Sequence, residues 1–443
     1  MAGNRLSQVV WRISLPLIFV QAAEAIDHLI DSLFLARVGE TELGAIAVAD
    51  TALMLFLALP LGLVDAIQVL TARRIGQRKP SAVGAVFDRG LLLLLGVCVA
   101  STLVLKLSWP ALAPWFVESD EVGAAVDGYL QIEAYGIGLH AATFAISALL
   151  TSVGRTAVLV PATGLMVAID VLLDYTFVLG GFGCPALGMP GAALGSLGAE
   201  LVTLVFLALY TWRRLEPRHY RLFRFHLRGR RTTGLLVGLS LPLAGLLLLA
   251  DLRWFVFFLI VERAGTQALA VANLVFTCYS VFWIPADAFS ETACSMVSRF
   301  VGRDRPHRIG GVLRAAIGGA IVATVPFLLA SVLVPEWVLA MFAPGAVVMA
   351  ESCASLRVVA LAMLIAIPGE MWFGAVVGTG DTAAALGIEG VLTLVMLGLA
   401  WLVAIHLQWP QVLVWSSVPV ASLVCLVLSW AWMRSGIWQR LAV

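Results

Sequence analysis

Charged residues are scarce in this sequence: only 12% of its 443 positions are Asp, Glu, Lys or Arg, about half the share of an ordinary soluble domain. Hydrophobic residues make up 61% and the mean hydropathy is +0.98, so too little polar surface remains to cover a water-soluble globule. No P-loop, HExxH or GxSxG run occurs, and no other catalytic set takes its place, so the chain reads as a non-enzyme without a cofactor. The six cysteines are scattered, with Cys98, Cys278, Cys294, Cys353 and Cys425 in apolar runs and Cys184 in a connection. They form no CxxC or Cys/His group, so neither a disulfide framework nor a zinc site is implied. Strict alternation of polar and apolar residues over about 10 positions is also absent, which excludes a transmembrane β-barrel.

Long apolar runs are abundant instead, at 91–105, 196–210, 315–334 and 391–407. About 20 apolar residues cross a bilayer, and with no water partner for backbone groups in lipid such runs must be helices. Arg5 and Arg12 precede an apolar stretch with no small-residue cleavage site before Glu24, so this stretch is expected to be a first span rather than a removed signal. The expected fold is an all-α integral membrane protein of twelve transmembrane helices. They are placed near 11–35, 43–70, 84–107, 124–150, 157–180, 190–212, 234–261, 267–293, 309–334, 350–377, 383–407 and 411–434.

Arginine placement sets the expected topology. Arg73, Arg74, Arg78 and Lys79 follow span 2, and Arg299, Arg303, Arg305 and Arg308 follow span 8. Arg213, Arg214, Arg218, Arg221, Arg224, Arg228, Arg230 and Arg231 crowd the connection after span 6. The odd-numbered connections hold Arg37 and Arg263 and little else that is basic, and the one after span 3 is acidic (Glu118, Asp120, Glu121). By the positive-inside rule the even-numbered connections and both termini are cytoplasmic. The basic linker is read as a topology signal in contact with lipid headgroups, not as a nucleic-acid surface.

The chain repeats itself at a constant offset of 226 residues. "ISLPL" at 13–17 matches "LSLPL" at 239–243, Val38-Gly39 matches Ala264-Gly265, "RRIGQRKP" at 73–80 matches "RFVGRDRP" at 299–306, and Gly154-Arg155-Thr156 matches Gly380-Asp381-Thr382. Residues 1–212 and 234–443 are therefore expected to be homologous six-helix lobes joined by a basic cytoplasmic linker at 213–233. An even number of spans separates equivalent points, so the halves share one orientation, with a substrate path expected between them.

An ionisable group at the bilayer centre costs about 2.5–3.5 kcal/mol on insertion scales, so each asks for a partner or a function. Glu24, Asp27, Asp31, Asp50, Asp65, Glu133, Asp170, Asp174, Glu200, Asp251, Asp287, Glu291, Glu370 and Glu389 all fall in or at the ends of spans, against only Arg89, Arg253, Arg314 and Arg357. The surplus is anionic and suits cations. Glu24, Asp27 and Asp31 are three and four residues apart and line one face of span 1, and Asp170 and Asp174 are one turn apart on span 5. Carboxylates so placed repel one another in a low dielectric, and a shared proton or a bound Na⁺ relieves that repulsion. The other acids are equally open to facing water at a span end. His28 and His140 are candidate proton relays, although hydrogen-bonded burial is the plainer reading. Tyr129, Tyr135, Phe144 and Trp372 are candidates for an aromatic wall against flat cations, or for interfacial packing.

"LIDSLFLARVGETELGAIAVA" (29–49), "LLDYTFVLGGFGCPALGMPGAALGS" (172–196) and "GTGDT" (378–382) resemble the multidrug and toxic compound extrusion (MATE) transporters over nearly the whole chain. The resemblance implies a V-shaped pair of six-helix lobes, acting as a monomer in the cell (inner) membrane. It also implies export of small organic cations in exchange for H⁺ or Na⁺. Carried over by position, Asp31 and Asp174 match the family's acids on spans 1 and 5, and Pro16 matches the proline where span 1 bends. Asp170 stands where asparagine is frequent, and Ser196 where threonine often completes the cluster. The set resembles the DNA-damage-inducible F-type branch. Glu24 and Asp27 are accessory acids beyond that pattern. Asp251 and Glu370 lie near, but out of register with, a pair that another branch carries on spans 7 and 10. The alternative from the same superfamily is a flippase for lipid-linked or amphipathic substrates; its basic cavity and additional spans do not match the acid excess here.

Overall fold

The computed structural model describes residues 2–117, 119–215, 217–225, 230–340, 342 and 345–440, so Glu118 and Arg228 lie outside the described residues. Among the described residues, twelve helices are long and apolar enough to cross a membrane: Arg5–Val38, Glu40–Gly76, Pro80–Trp115, Gly136–Val153, Thr156–Phe177, Met189–Arg214, Arg230–Glu262, Thr266–Gly302, Pro306–Leu333, Val347–Gly378, Thr382–His406 and Gln411–Ser435. These are spans 1 to 12. No strand occurs among the described residues. The all-α multi-pass membrane architecture expected from the apolar runs is therefore present.

Three differences from the sequence reading have local causes. Several helices outrun the apolar runs: Glu40–Gly76 and Thr266–Gly302 each have 37 residues, or about 55 Å at the helical rise. Hydropathy marks only the segment in lipid, whereas helical hydrogen bonding continues into the basic ends. Span 4, expected to be continuous from 124 to 150, is instead the helix Asp120–Glu133 followed by Gly136–Val153. The Tyr135 N–H bonds to Ile132 O, three residues back, tightening the turn. The Glu133 carboxyl sits 2.6 Å from where a Cβ on Gly136 would lie. The linker is also shorter than expected, because Arg213 and Arg214 end span 6 while Arg230 and Arg231 begin span 7.

The linker's remaining part is docked. Backbone N–H groups of Phe223, Arg224 and Phe225 donate to the Asp88 carboxylate on span 3 at 2.8, 2.7 and 3.1 Å. Arg221, Phe223 and Phe225 all have positive φ, a curl that turns successive N–H groups toward one anion. Phe223 packs edge-on against Phe87, with ring centroids 6.2 Å apart.

The chain divides into two compact units, Phe19–Ala244 and Met1–Ile18 with Gly245–Val443. Spans 1 and 7 thus each begin in one unit and continue in the other. Within the second unit, Ser14 Oγ donates to Thr292 Oγ1 at 2.8 Å, and Trp11 meets Phe289 edge-on with centroids 5.1 Å apart. Within the first, Gly62 on span 2 lets the backbone of Ala244 approach so closely that a Cβ would lie 2.5 Å from its nitrogen. Pro16 and Pro242 are interior to these two helices, two residues before each change of unit. Proline removes one i→i−4 bond and leaves a compliant point.

Candidate functional site

The site lies within the unit Phe19–Ala244 and is built by spans 1, 5 and 6. Small residues on span 6 set its depth. A Cβ on Gly191 would lie 2.5 Å from Phe177 O, and one on Gly195 would lie 2.7 Å from Asp174 Oδ1 and 3.5 Å from Asp170 Oδ1. Span 6 therefore closes on span 5 through a stripe of small residues, as close-packed membrane helices do. That contact keeps water away from the span 5 acids: Asp170 is 3% exposed and Asp174 is 1% exposed.

Span 1 brings its own acids to the same place. One carboxylate oxygen from each of Asp27, Asp31 and Asp170 lies within 4.8 Å of the others. Asp31 lies within electrostatic reach of both Asp170 and Asp174, and Ser196 stands beside Asp170. Asp27 Oδ1, Asp31 Oδ1, Asp170 Oδ1 and both oxygens of Asp174 are buried without a donor. No Lys or Arg is ion-paired with any of these four aspartates among the described residues. Buried carboxylates are ordinarily paired or hydrogen-bonded, so this group is complete only with a shared proton or a bound cation. An all-oxygen donor set of this kind suits a hard cation such as Na⁺.

A second layer adjoins it. Glu200 is one turn beyond Ser196 on span 6, and its carboxylate lies 2.6 Å from His140 Nδ1 on span 4. Glu24, an accessory acid in the sequence reading, lies within electrostatic reach of this pair, and Glu133 within reach of Glu200 and Asp170. The pairing of His140 with Glu200 was not legible from spacing, because 60 residues separate them. The one sequence signal was the helical interval from Ser196 to Glu200.

Asp251 is exposed. Glu370 accepts from Ser290 Oγ at 3.0 Å in the other unit, and Glu389 is ion-paired with Arg253 there. His28 is exposed. Of the four candidate aromatics, Tyr129 is buried, Tyr135 carries Lys106 over its ring at 3.7 Å, Phe144 packs on His140, and Trp372 is half-buried in the other unit. The densest aromatic group instead joins Trp254 to Phe257, Phe276, Tyr279 and Trp415.

The family model MatE matches residues 16–176 and 229–402. The chain belongs to the MatE family. This is a family of membrane transporters rather than of enzymes. Among the relatives is a "Probable multidrug resistance protein NorM" of Pseudomonas aeruginosa, 27% identical over 98% of this chain and 86% of its own length. One of Bradyrhizobium diazoefficiens with the same name is 25% identical over 93% and 90%. A solved multidrug resistance MATE family transporter of the MOP superfamily, in an outward-facing conformation, superposes with a TM-score of 0.89 at 19% identity. That match covers 97% of this chain and 95% of the other. Both termini of the family match fall short of the described ends, yet all four aspartates lie inside it.

Proposed function

We propose that this MatE protein is a secondary active antiporter that exports small organic cations in exchange for H⁺ or Na⁺ by alternating access. The observation that carries the reading is the convergence of Asp27, Asp31 and Asp170, with Asp174 within electrostatic reach, none of them ion-paired with a Lys or Arg among the described residues. Such a group has a standing demand for a cation, and a conformational change that alters access to it converts an ion gradient into work. The names of the NorM relatives support multidrug efflux as the physiological task. The acids on spans 1 and 5, with Ser196, favour the F-type branch. The arginine pattern supports cytoplasmic termini in the cell membrane, and the chain is taken to act as a monomer.

In the proposed cycle the incoming ion occupies the aspartate group, span 1 repacks around its proline, and the organic cation leaves. Substrate and ion must prefer different conformations or compete for the same oxygens. Purified protein in proteoliposomes, loaded with ethidium and given an H⁺ or a Na⁺ gradient separately, tests this. Ethidium movement driven by one of the two gradients is expected. Absence of movement under both gradients, in protein shown to be folded, would overturn the reading.

A further inference from the structure

The offset of 226 residues relates each acid of the site to a position in the second half of the sequence. Asp31 corresponds to Phe257, Asp170 to Met396 and Asp174 to Ala400, and all three counterparts are buried apolar residues. Asp27 corresponds to Arg253. One acid is thus matched by a fixed positive charge, and three by apolar side chains. The carboxylate that remains nearby is Glu389, which lies on span 11 as Asp170 and Asp174 lie on span 5. It is 5% exposed, and the Arg253 guanidinium is bonded to it.

The charged groups around Arg253 come from every neighbouring element. Glu389 stands on span 11, and Glu370 on span 10 lies within electrostatic reach of the pair and of Asp287 on span 8. Glu370 takes a hydroxyl donor from Ser290. Asp251, two residues from Arg253 on span 7, is exposed to solvent and lies within electrostatic reach of Arg253. A plain structural ion pair between spans 7 and 11 would explain the contact alone. It does not explain why the positive charge stands at the repeat position of an acid in the ion-binding group. Buried ion pairs are also weak stabilisers compared with apolar packing.

We propose that Arg253 is a resident cation that fills the second half's counterpart of the ion site, and thereby limits ion coupling to the unit Phe19–Ala244. Arg253 is on this view a determinant of stoichiometry, fixing how many ions drive each organic cation outward. The inference rests on the antiport reading above. Removing the positive charge leaves the buried Glu389 and the half-buried Glu370 without the Arg253 counter-charge, and the vacated place then recruits an ion from solution.

The test is the ion-to-ethidium stoichiometry in proteoliposomes, taken from the membrane potential at which net ethidium flux reverses. Arg253→Gln is expected to raise the number of coupling ions per ethidium by one, and to steepen the dependence of rate on ion concentration. Arg253→Lys is expected to keep the wild-type stoichiometry, and the double variant Arg253→Gln/Glu389→Gln to return to it. Coupled transport by Arg253→Gln with unchanged stoichiometry overturns the inference while leaving the antiport reading intact. Absence of coupled transport in the wild type instead overturns that reading.

A second measurement covers the case in which Arg253→Gln does not fold. Calorimetric titration of the Asp31→Asn/Asp174→Asn variant with the coupling ion is expected to show no saturable binding. Residual binding that Glu389→Gln removes would show a second open site beside Arg253, contrary to the inference.

Discussion

At the residue scale, the proposed function depends on what is missing around Asp31 and Asp174. Their buried oxygens have no hydrogen-bond donor, so the protein supplies ligands without supplying the charge that would satisfy them. Gly195 is as necessary to this as the acids are. A side chain there would enter the space of Asp174 Oδ1 at 2.7 Å, and overpacking of this kind costs about 1–3 kcal/mol. Gly195→Val is therefore expected to lower thermal stability by a few degrees and to abolish ion-coupled export. Thermal melts and ethidium flux in proteoliposomes check both. Wild-type coupling in Gly195→Val would mean that the close approach of spans 5 and 6 is irrelevant to the ion site.

The acids themselves were legible in the sequence. Intervals of three and four residues placed Glu24, Asp27 and Asp31 on one helix face, and an apolar background made each one costly enough to notice. Their partners were not legible in the same way. His140 meets Glu200, and Arg253 meets Glu389, across 60 and 136 residues. No periodicity records such a meeting, which depends on how spans pack.

At the scale of elements, the two helices that cross between units share a proline at the same repeat position, Pro16 and Pro242. An interior proline costs a helix about 3 kcal/mol relative to alanine, so its retention at both crossings favours a role in bending. Pro16→Ala is expected to raise the melting temperature and to slow ethidium export several-fold while ion affinity stays unchanged. Stopped-flow flux beside calorimetric ion titration separates these effects. Unaltered export would remove span 1 bending from the cycle.

The linker is a second element whose order comes from a single side chain. Asp88 receives three backbone donors, and hydrogen bonds to charged groups contribute about 1.5–3 kcal/mol each. Asp88→Ala is expected to release 221–225 and to speed trypsin cleavage at the linker arginines at least tenfold. Cleavage at the wild-type rate would show that the docking is maintained by Phe87 and Phe223 instead. The sequence marked this segment by its arginines alone, because curled backbone around a carboxylate leaves no compositional trace.

At the scale of the whole molecule, twelve spans followed directly from apolar run length, because lipid leaves a backbone no alternative to the helix. Helix ends and the break before Gly136 were hidden, since water-exposed turns and a tightened turn carry no hydropathy signal. The orientation of the chain rests on its arginines and is testable with a native residue. Cys184, in the connection between spans 5 and 6, is a half-buried free thiol. A membrane-impermeant maleimide is expected to label it in intact cells, with Cys184→Ser removing the signal. Labelling of Cys184 only in inverted vesicles would reverse the topology.

The central claim is that the four aspartates hold the ion that drives export. The most direct measurement follows ethidium and the coupling ion together in proteoliposomes containing the wild type or Asp31→Asn, both verified as folded. The account predicts that the wild type moves ion and ethidium in opposite directions at a fixed ratio, and that Asp31→Asn moves neither in response to the other's gradient. Counter-movement at the wild-type ratio in Asp31→Asn would contradict it.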